Sequence, residues 1–475
     1  MLQKYITSKE GRAIMSKNAI AGNGISPIAL RRFNRELERS NAVMRGYTLL
    51  RGGKKIAEQY WEPYTADDKN WVYSISKSFT STAAGLLFDE GLLDLDARVI
   101  SFFPEETPEH PSENLQAMRV RHLLSMNTGH GKDTTVAVIF SGSWETTFLN
   151  LPIDHEPGTH FLYNTGASYM MSAIIQKITG QTVIEYLTPR LFAPLGFENY
   201  AGDLNPDGVF TGGWGMMVRI DDLAKLGQVY LGKGVYGGKR ILSEEWVGMA
   251  TSIQSDNSSG ERANEPSDWQ TGYGFQIWVC SHDCYRFDGA FGQFCVMMPE
   301  HDAVLALMSE IPNMQEIMDI IWATLLPGFT STSSKTEETI NGRPFKIKRN
   351  FEDVETITLR FEEDALTFSM VGGDGDADGS LRCGRASWLD GVCTLPVGER
   401  SLIPFFSLED TPKLVSSYFH WTDETTLELN WVYRETPHRE RLVCRFEGSS
   451  ISVLCHSSVS EPREEDDEDF AGTME

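Results

Sequence analysis

Three features of the sequence predict an α+β protein built in two parts. Tyr47 to Tyr60 reads as two short strands around a Gly52-Gly53 turn. Helical patterns dominate from Ser74 to about Val247, and strand patterns return from Thr271. Beyond Ile340 only half-buried strand alternation remains. Strands, many helices, strands and a helix in that order make an antiparallel sheet from both ends of one segment, flanked by helices, with a helical subdomain between.

The first part carries its elements in sequence. An apolar helix is expected from the Ser74 region to Phe88, ended by Gly91, and a second over Tyr169 to Thr179, ended by Gly180. Thr271 to Val279, Phe294 to Met298 and Ala303 to Met308 read as strands, and Met314 to Leu326 as a closing helix. Pro327 to Thr336 has a linker's polar composition. Thr356 to Phe361, Ala365 to Val371, Thr426 to Tyr433, Leu442 to Phe446 and Ile451 to Leu454 then alternate like strands of a small barrel or sandwich. The expected division is a first domain over 1–328, a linker over 329–339, an all-β domain over 340–457 and a disordered acidic tail over 458–475.

Composition narrows the function. A net charge of −25 argues against nucleic acid or an anionic membrane as partner. Part of it is the run Glu464 to Asp469, a solvated tail by composition. No apolar run approaches the ~20 residues a membrane span needs, and Met1 to Glu10 has no signal-peptide core. With 7 cysteines, an odd number, the chain fits a soluble cytoplasmic protein with reduced thiols.

The chemistry concentrates at Ser74-Ile75-Ser76-Lys77. At i and i+3 of a helix the Ser74 hydroxyl and the Lys77 amine share one face. A lysine in a dry pocket loses its proton readily and can serve that hydroxyl as a base. The competing possibility is a serine capping an ordinary helix.

Context favours the nucleophile. Ser74-x-x-Lys77 is followed by Glu90-Gly91-Leu92-Leu93-Asp94-Leu95-Asp96, and later by Pro157-Gly158-Thr159-His160-Phe161-Leu162-Tyr163. This set resembles the beta-lactamase-related serine hydrolases, the family of class C beta-lactamases, D,D-peptidases and assorted esterases. Arg121 to Gly129 and Gly212 to Met216 resemble two further family segments, so the resemblance covers roughly Tyr47 to Pro327. It implies a beta-lactamase/transpeptidase-like fold and a catalytic set of Ser74, Lys77 and Tyr163. Tyr163 would be a proton shuttle, its pKa drawn down by the neighbouring ammonium. By position Phe287-Asp288-Gly289 resembles the family's Lys/His-x-Gly strand, so the Ser74 and Ala290 amides would form the oxyanion hole. Thr165 stands where the family has asparagine, with Asn164 one earlier; these two, Trp214, Asp288, Gly289 and Phe291 would contact substrate. Gly289 would let substrate approach the strand. Asp288, where the family often binds a carboxylate, would repel one instead and favour neutral or amine-bearing substrates.

Several motifs lead elsewhere. His155 to His160 looks like a zinc site, but Pro157-Gly158 breaks the helix that would aim both histidines. Gly232 to Gly237 satisfies a dinucleotide motif yet follows a helix, and is a glycine turn. Asp374 to Gly379 opens like a calcium loop but lacks its final glutamate, and at most binds calcium weakly. Cys280-Ser281-His282-Asp283-Cys284 reads as a structural turn. No metal or organic cofactor is expected. The expected function is hydrolysis of a small-molecule ester or amide through an acyl-enzyme. An acyltransferase using the same intermediate, and a non-catalytic binding protein, are the alternatives.

Overall fold

The computed structural model describes residues 24–258, 267–329, 334–349, 353–373, 378–395, 413–458 and 469–474. They fall into two compact units: residues 37–319 make one, and 320–474 with residues 24–36 make the other. The helix α1 (Pro27–Arg39), which has no counterpart in the sequence expectations, begins in the second unit.

The first unit is built on a six-stranded antiparallel sheet: β1 (Val43–Arg51), β2 (Lys54–Tyr60), β3 (Trp278–Val279), β4 (Tyr285–Gly289), β5 (Gln293–Met298) and β6 (Ala303–Glu310), in the order β2-β1-β6-β5-β4-β3. β1 pairs with β6 through Tyr47–Leu307 and Leu49–Leu305, so the sheet joins both ends of the unit. Residues 271–277, expected as strand, are irregular instead. Gly272 at φ +116 and Gln276 at φ +62 turn the backbone, and Gly274 packs so closely on the Ala250 carbonyl that no side chain fits.

Helix α2 (Ser76–Asp89) runs through the middle of the unit, buried from Ser76 to Leu87. The expectation of an apolar helix is corrected here, because half of that stretch is polar. Burial is tolerated because each hydroxyl finds an oxygen. Ser78 donates to the Gln276 carbonyl at 3.1 Å, Thr80 to that of Gly212 at 2.8 Å and Ser81 to that of Phe275 at 2.7 Å. These bonds tie α2 to segments far along the chain. Helix α3 (Thr165–Thr179) starts at an Asn164 cap and ends at Gly180 in the left-handed conformation. The closing helix covers nearly its expected span but changes its winding, tightening to a 3-10 turn over Leu326–Gly328. It is α-helical over Gln315–Ile320 and wider over Ile321–Leu325.

The second unit is a closed ten-stranded barrel: β7 (Pro344–Arg349), β8 (Val354–Phe361), β9 (Ala365–Gly372), β10 (Gly379–Arg385), β11 (Leu389–Cys393), β12 (Lys413–Trp421), β13 (Thr426–Tyr433), β14 (Arg439–Glu447), β15 (Ser450–Ser457) and β16 (Phe470–Met474). Neighbours in sequence are neighbours in the barrel, and β16 closes it by pairing with both β7 and β15. The expectation of a disordered tail to residue 475 is thereby corrected: Phe470 is fully buried and 470–474 are strand. Inward-facing Phe345, Phe368, Phe419, Trp421, Trp431 and Phe446 fill the interior as one apolar cluster. Residues 374–377 of the calcium-like turn and 464–468 of the acidic run lie outside the described residues. Among the described residues no helix is long and apolar enough to cross a membrane.

Candidate active site

Ser74 lies in a short 3-10 turn, Tyr73–Ile75, that feeds directly into α2. Ile75 caps α2 without any side-chain hydrogen bond, so Ser74 is not a helix cap. Lys77 Nζ donates to Ser74 Oγ at 3.0 Å and to the Gly213 carbonyl at 2.9 Å. Ser74 stays partly exposed, whereas Lys77 is 1% exposed. Burial lowers the Lys77 pKa from 10.5 to about 7, against the pull of Asp133 and Asp288. A neutral amine beside a hydroxyl at ordinary pH is the arrangement that general-base activation requires.

Tyr163 joins this pair. Its ring lies 4.8 Å from Lys77 Nζ and stacks on Trp278 at 5.4 Å. The expected drop in its pKa is corrected. Burial in a cluster with Tyr273, Trp278 and Phe161 raises the phenol well above 10, the Asp288 charge adds to the rise, and the nearby Ser74 hydroxyl offsets it only in part. Tyr163 therefore keeps its proton at neutral pH, and of the two groups beside Ser74 it is Lys77 whose pKa suits it to accept one.

Gly289 and Ala290 close the site from β4. A Cβ on Gly289 would lie 2.3 Å from the Val72 carbonyl. The glycine thus lets β4 approach the backbone just ahead of Ser74, a role different from the expected access for substrate. Ala290 follows Gly289 at the end of the β4–β5 ladder. Tyr73 and Phe291, the chain neighbours of Ser74 and Ala290, have φ +47 and +67, and their rings meet edge-on at 5.2 Å. Left-handed backbone at two such bulky residues is strained, and one of them directly precedes Ser74. Phe291 is 48% exposed, open to a ligand.

The other expected contacts divide. Asn164 is fully buried, and its Oδ1 accepts from Gly166 N at 3.1 Å and Thr134 Oγ1 at 2.7 Å, so it builds the α3 cap and is no substrate contact. Thr165 begins α3 and packs against Gly213, where a Cβ would come within 2.4 Å of its methyl. Trp214 stacks on Trp144 at 5.8 Å and lines a 430 Å³ cavity with Ile139, Leu204, Asp203 and Asn205. Asp288 is 8% exposed and accepts from Arg286 Nε at 3.1 Å. Its charge is compensated by that fully buried guanidinium, so it repels anions less than an unpaired carboxylate would.

Sequence patterns did not single out Asp133, Trp269, Trp278 or Arg286. Arg286 packs on Trp269 and Trp278 at 4.3 and 5.5 Å and donates to the Asp268 carbonyl at 2.8 Å. Lys77, Tyr163, Trp278 and Arg286 thus form one chain of ring contacts. A cation two residues before Asp288 on the same strand face was the available signal. Among the described residues no group of three His, Cys, Asp or Glu side chains is placed to hold a metal, and the His155 and His160 rings stack on each other at 4.1 Å.

Comparison with known proteins bears on the fold and the family. The beta-lactamase family model matches residues 42–323. A 6-aminohexanoate-dimer hydrolase from Paenarthrobacter ureafaciens is 26% identical over 56% of this chain and 72% of its own length. A lovastatin esterase from Penicillium rubens is 26% identical over 32% of this chain, which spans 42% of that relative. Among solved structures, a hydrolase with promiscuous acyltransferase activity superposes with TM-score 0.52 at 16% identity, over 62% of this chain and 98% of the other. A 6-aminohexanoate-dimer hydrolase homologue from Bacillus anthracis gives 0.50 at 18%, over 65% and 84%. At such identities the structural likeness is one of fold. The family match, spanning more than half of the chain, the whole six-stranded sheet and the turn and helix that carry Ser74 and Lys77, shows that the chain belongs to the beta-lactamase family of serine hydrolases.

Proposed function

We propose that this protein cleaves a small ester or amide through an acyl-enzyme on Ser74. The observation that carries the proposal is the buried Lys77 amine, with a pKa near 7, 3.0 Å from Ser74 Oγ. Neutral Lys77 takes the Ser74 proton as Oγ attacks the substrate carbonyl. The Ser74 and Ala290 amides stabilise the oxyanion, and Tyr163 passes a proton to the leaving alcohol or amine as the carbonyl reforms. Water, deprotonated by the same lysine, then attacks the acyl-enzyme and releases the acid and Ser74.

The charges around the cleft favour neutral or amine-bearing substrates over carboxylates. Asp133 is exposed and close enough to Lys77 and Tyr163 to act on both electrostatically. A relative named for an amine-bearing substrate, a D-aminopeptidase from Brucella anthropi, is in keeping with an amine in the substrate.

A fluorophosphonate adduct located by mass spectrometry tests the nucleophile. The adduct should sit on Ser74, and equal labelling of Ser74→Ala protein would end the proposal. Adding an acceptor alcohol or amine during turnover distinguishes hydrolysis from acyl transfer by the product formed.

A further inference from the structure

The outer face of the barrel is polar where it should be wet, yet it is buried. In β12 and β13 the residues Phe419, Trp421, Leu427, Leu429 and Trp431 point into the interior, so Tyr418, His420, Glu428 and Asn430 point outward. Outward residues of a barrel normally meet solvent. Here His420 is 8% and Asn430 7% exposed. Ser26, Ala29, Arg32, Ala323, Thr324 and Pro327 lie beside them and, with them, border a half-open cavity of 590 Å³.

A cover that merely packed on the barrel would bury apolar side chains. This one encloses a cross-strand row instead: Tyr418 faces Asn430, Asn430 faces Arg441 and Arg441 faces His456 across four strands. Arg32 and Arg439 line the same space at its exposed rim. Among the described residues, His420 Nδ1 and Asn430 Nδ2 are buried without a hydrogen-bond partner. Such orphans are rare in folded proteins and are expected where a ligand or ordered water completes the set.

The charges indicate what fits. Glu428 is engaged by Arg441 at 3.5 Å, and Glu440 accepts from Ser457 Oγ at 2.9 Å. Arg32 and Arg439 have no acidic partner among the described residues. Burial and the Arg441 charge lower the His420 pKa to about 4, so at neutral pH it is an uncharged hydrogen-bonding group. Guanidinium forks without partners, next to an amide donor, match the oxygens of carboxylate or phosphate. The volume lies in the range of small-molecule pockets.

We propose that this cavity is a second binding site, separate from Ser74, for a small molecule bearing a carboxylate or phosphate group.

Calorimetric titration of the full chain with inorganic phosphate and, separately, with succinate tests this, with ionic strength held constant by sodium chloride. At least one probe should bind saturably, and Arg32→Gln/Arg439→Gln should weaken it by at least about tenfold. Those surface changes should leave Ser74 labelling and ester hydrolysis unaltered. Binding of phosphate alone, or of succinate alone, assigns the group recognised. With histidine ¹⁵N labelling, the bound probe should shift one imidazole resonance that is missing in His420→Gln. The proposal is overturned if neither probe binds above the chloride control, if binding survives the double substitution, or if the His420 resonance does not move.

Discussion

Replacing Lys77 with methionine should stabilise the protein at neutral and acid pH while abolishing hydrolysis. Burial lowers the Lys77 pKa from 10.5 to about 7, a shift worth roughly 5 kcal/mol against the charged form. Below pH 7 the lysine is protonated both folded and unfolded, and the cost is present in full. Between pH 7 and 10.5 only the unfolded chain holds the proton, so wild-type stability rises by up to about 1.4 kcal/mol per pH unit. Methionine has a similar length and no charge, and so escapes the cost. It also leaves the Gly213 carbonyl without its 2.9 Å donor, a loss of about 1–3 kcal/mol. The variant should therefore exceed wild type by about 2–4 kcal/mol near pH 6. That advantage should shrink by roughly 3 kcal/mol as the pH is raised from about 7 to about 9. Urea unfolding of both proteins across this range, followed by fluorescence and circular dichroism, measures the difference. A gap that stays constant with pH would mean that Lys77 keeps an ordinary pKa, and the base in the proposed mechanism would be lost with it.

Three further outcomes follow from the same geometry. Lys77→Ala, Tyr163→Phe and the double variant should lose similar large factors in kcat, because the two residues serve one proton transfer; additive losses in steady-state kinetics would separate their roles. Asp288→Asn strands the fully buried Arg286 charge and should cost about 3–5 kcal/mol in denaturant unfolding. The surviving protein should turn over nitrocefin better, relative to a neutral ester, than wild type does, since the freed guanidinium attracts carboxylate. Gly289→Ala forces a methyl to within 2.3 Å of the Val72 carbonyl, so β4 must retreat from Ser74. Burst kinetics should show acylation slowed by about 10²–10³ if that retreat removes one oxyanion donor; unchanged acylation would place the oxyanion elsewhere.

Much of this could be read from residue spacing, and the exceptions share a cause. The Ser74–Lys77 pair and the strands expected at 47–60 and 303–308 are local patterns, and local periodicity reports them. Residues 271–277 look like a strand because their apolar residues suit one, but Gly272 and Gln276 adopt positive φ to serve contacts made elsewhere. Helix α2 looks apolar at its far end, and its buried hydroxyls make sense only with the Gly212, Phe275 and Gln276 carbonyls in place. The sequence expectation has Tyr163 acidified by Lys77, yet Tyr273 and Trp278, which bury it, come from positions more than a hundred residues away. Phe470–Met474 follows an acidic run, and nothing in its own composition reveals two waiting partners.

That last strand also sets an order of events. A meander can curl up strand by strand as it leaves the ribosome, since each new strand pairs with the one before it. This barrel cannot finish that way. Its closing strand must latch onto Phe345–Arg349, the first strand made, after every other has been translated. Until then a nascent barrel presents two open backbone edges, β7 and β15, each able to pair with another chain. Quality control of this protein therefore turns on a few residues at the rear of the barrel. A ribosome stalled before Phe470, or a protease that clips behind β15, leaves a nearly complete domain with the adhesive edges of an unfinished one.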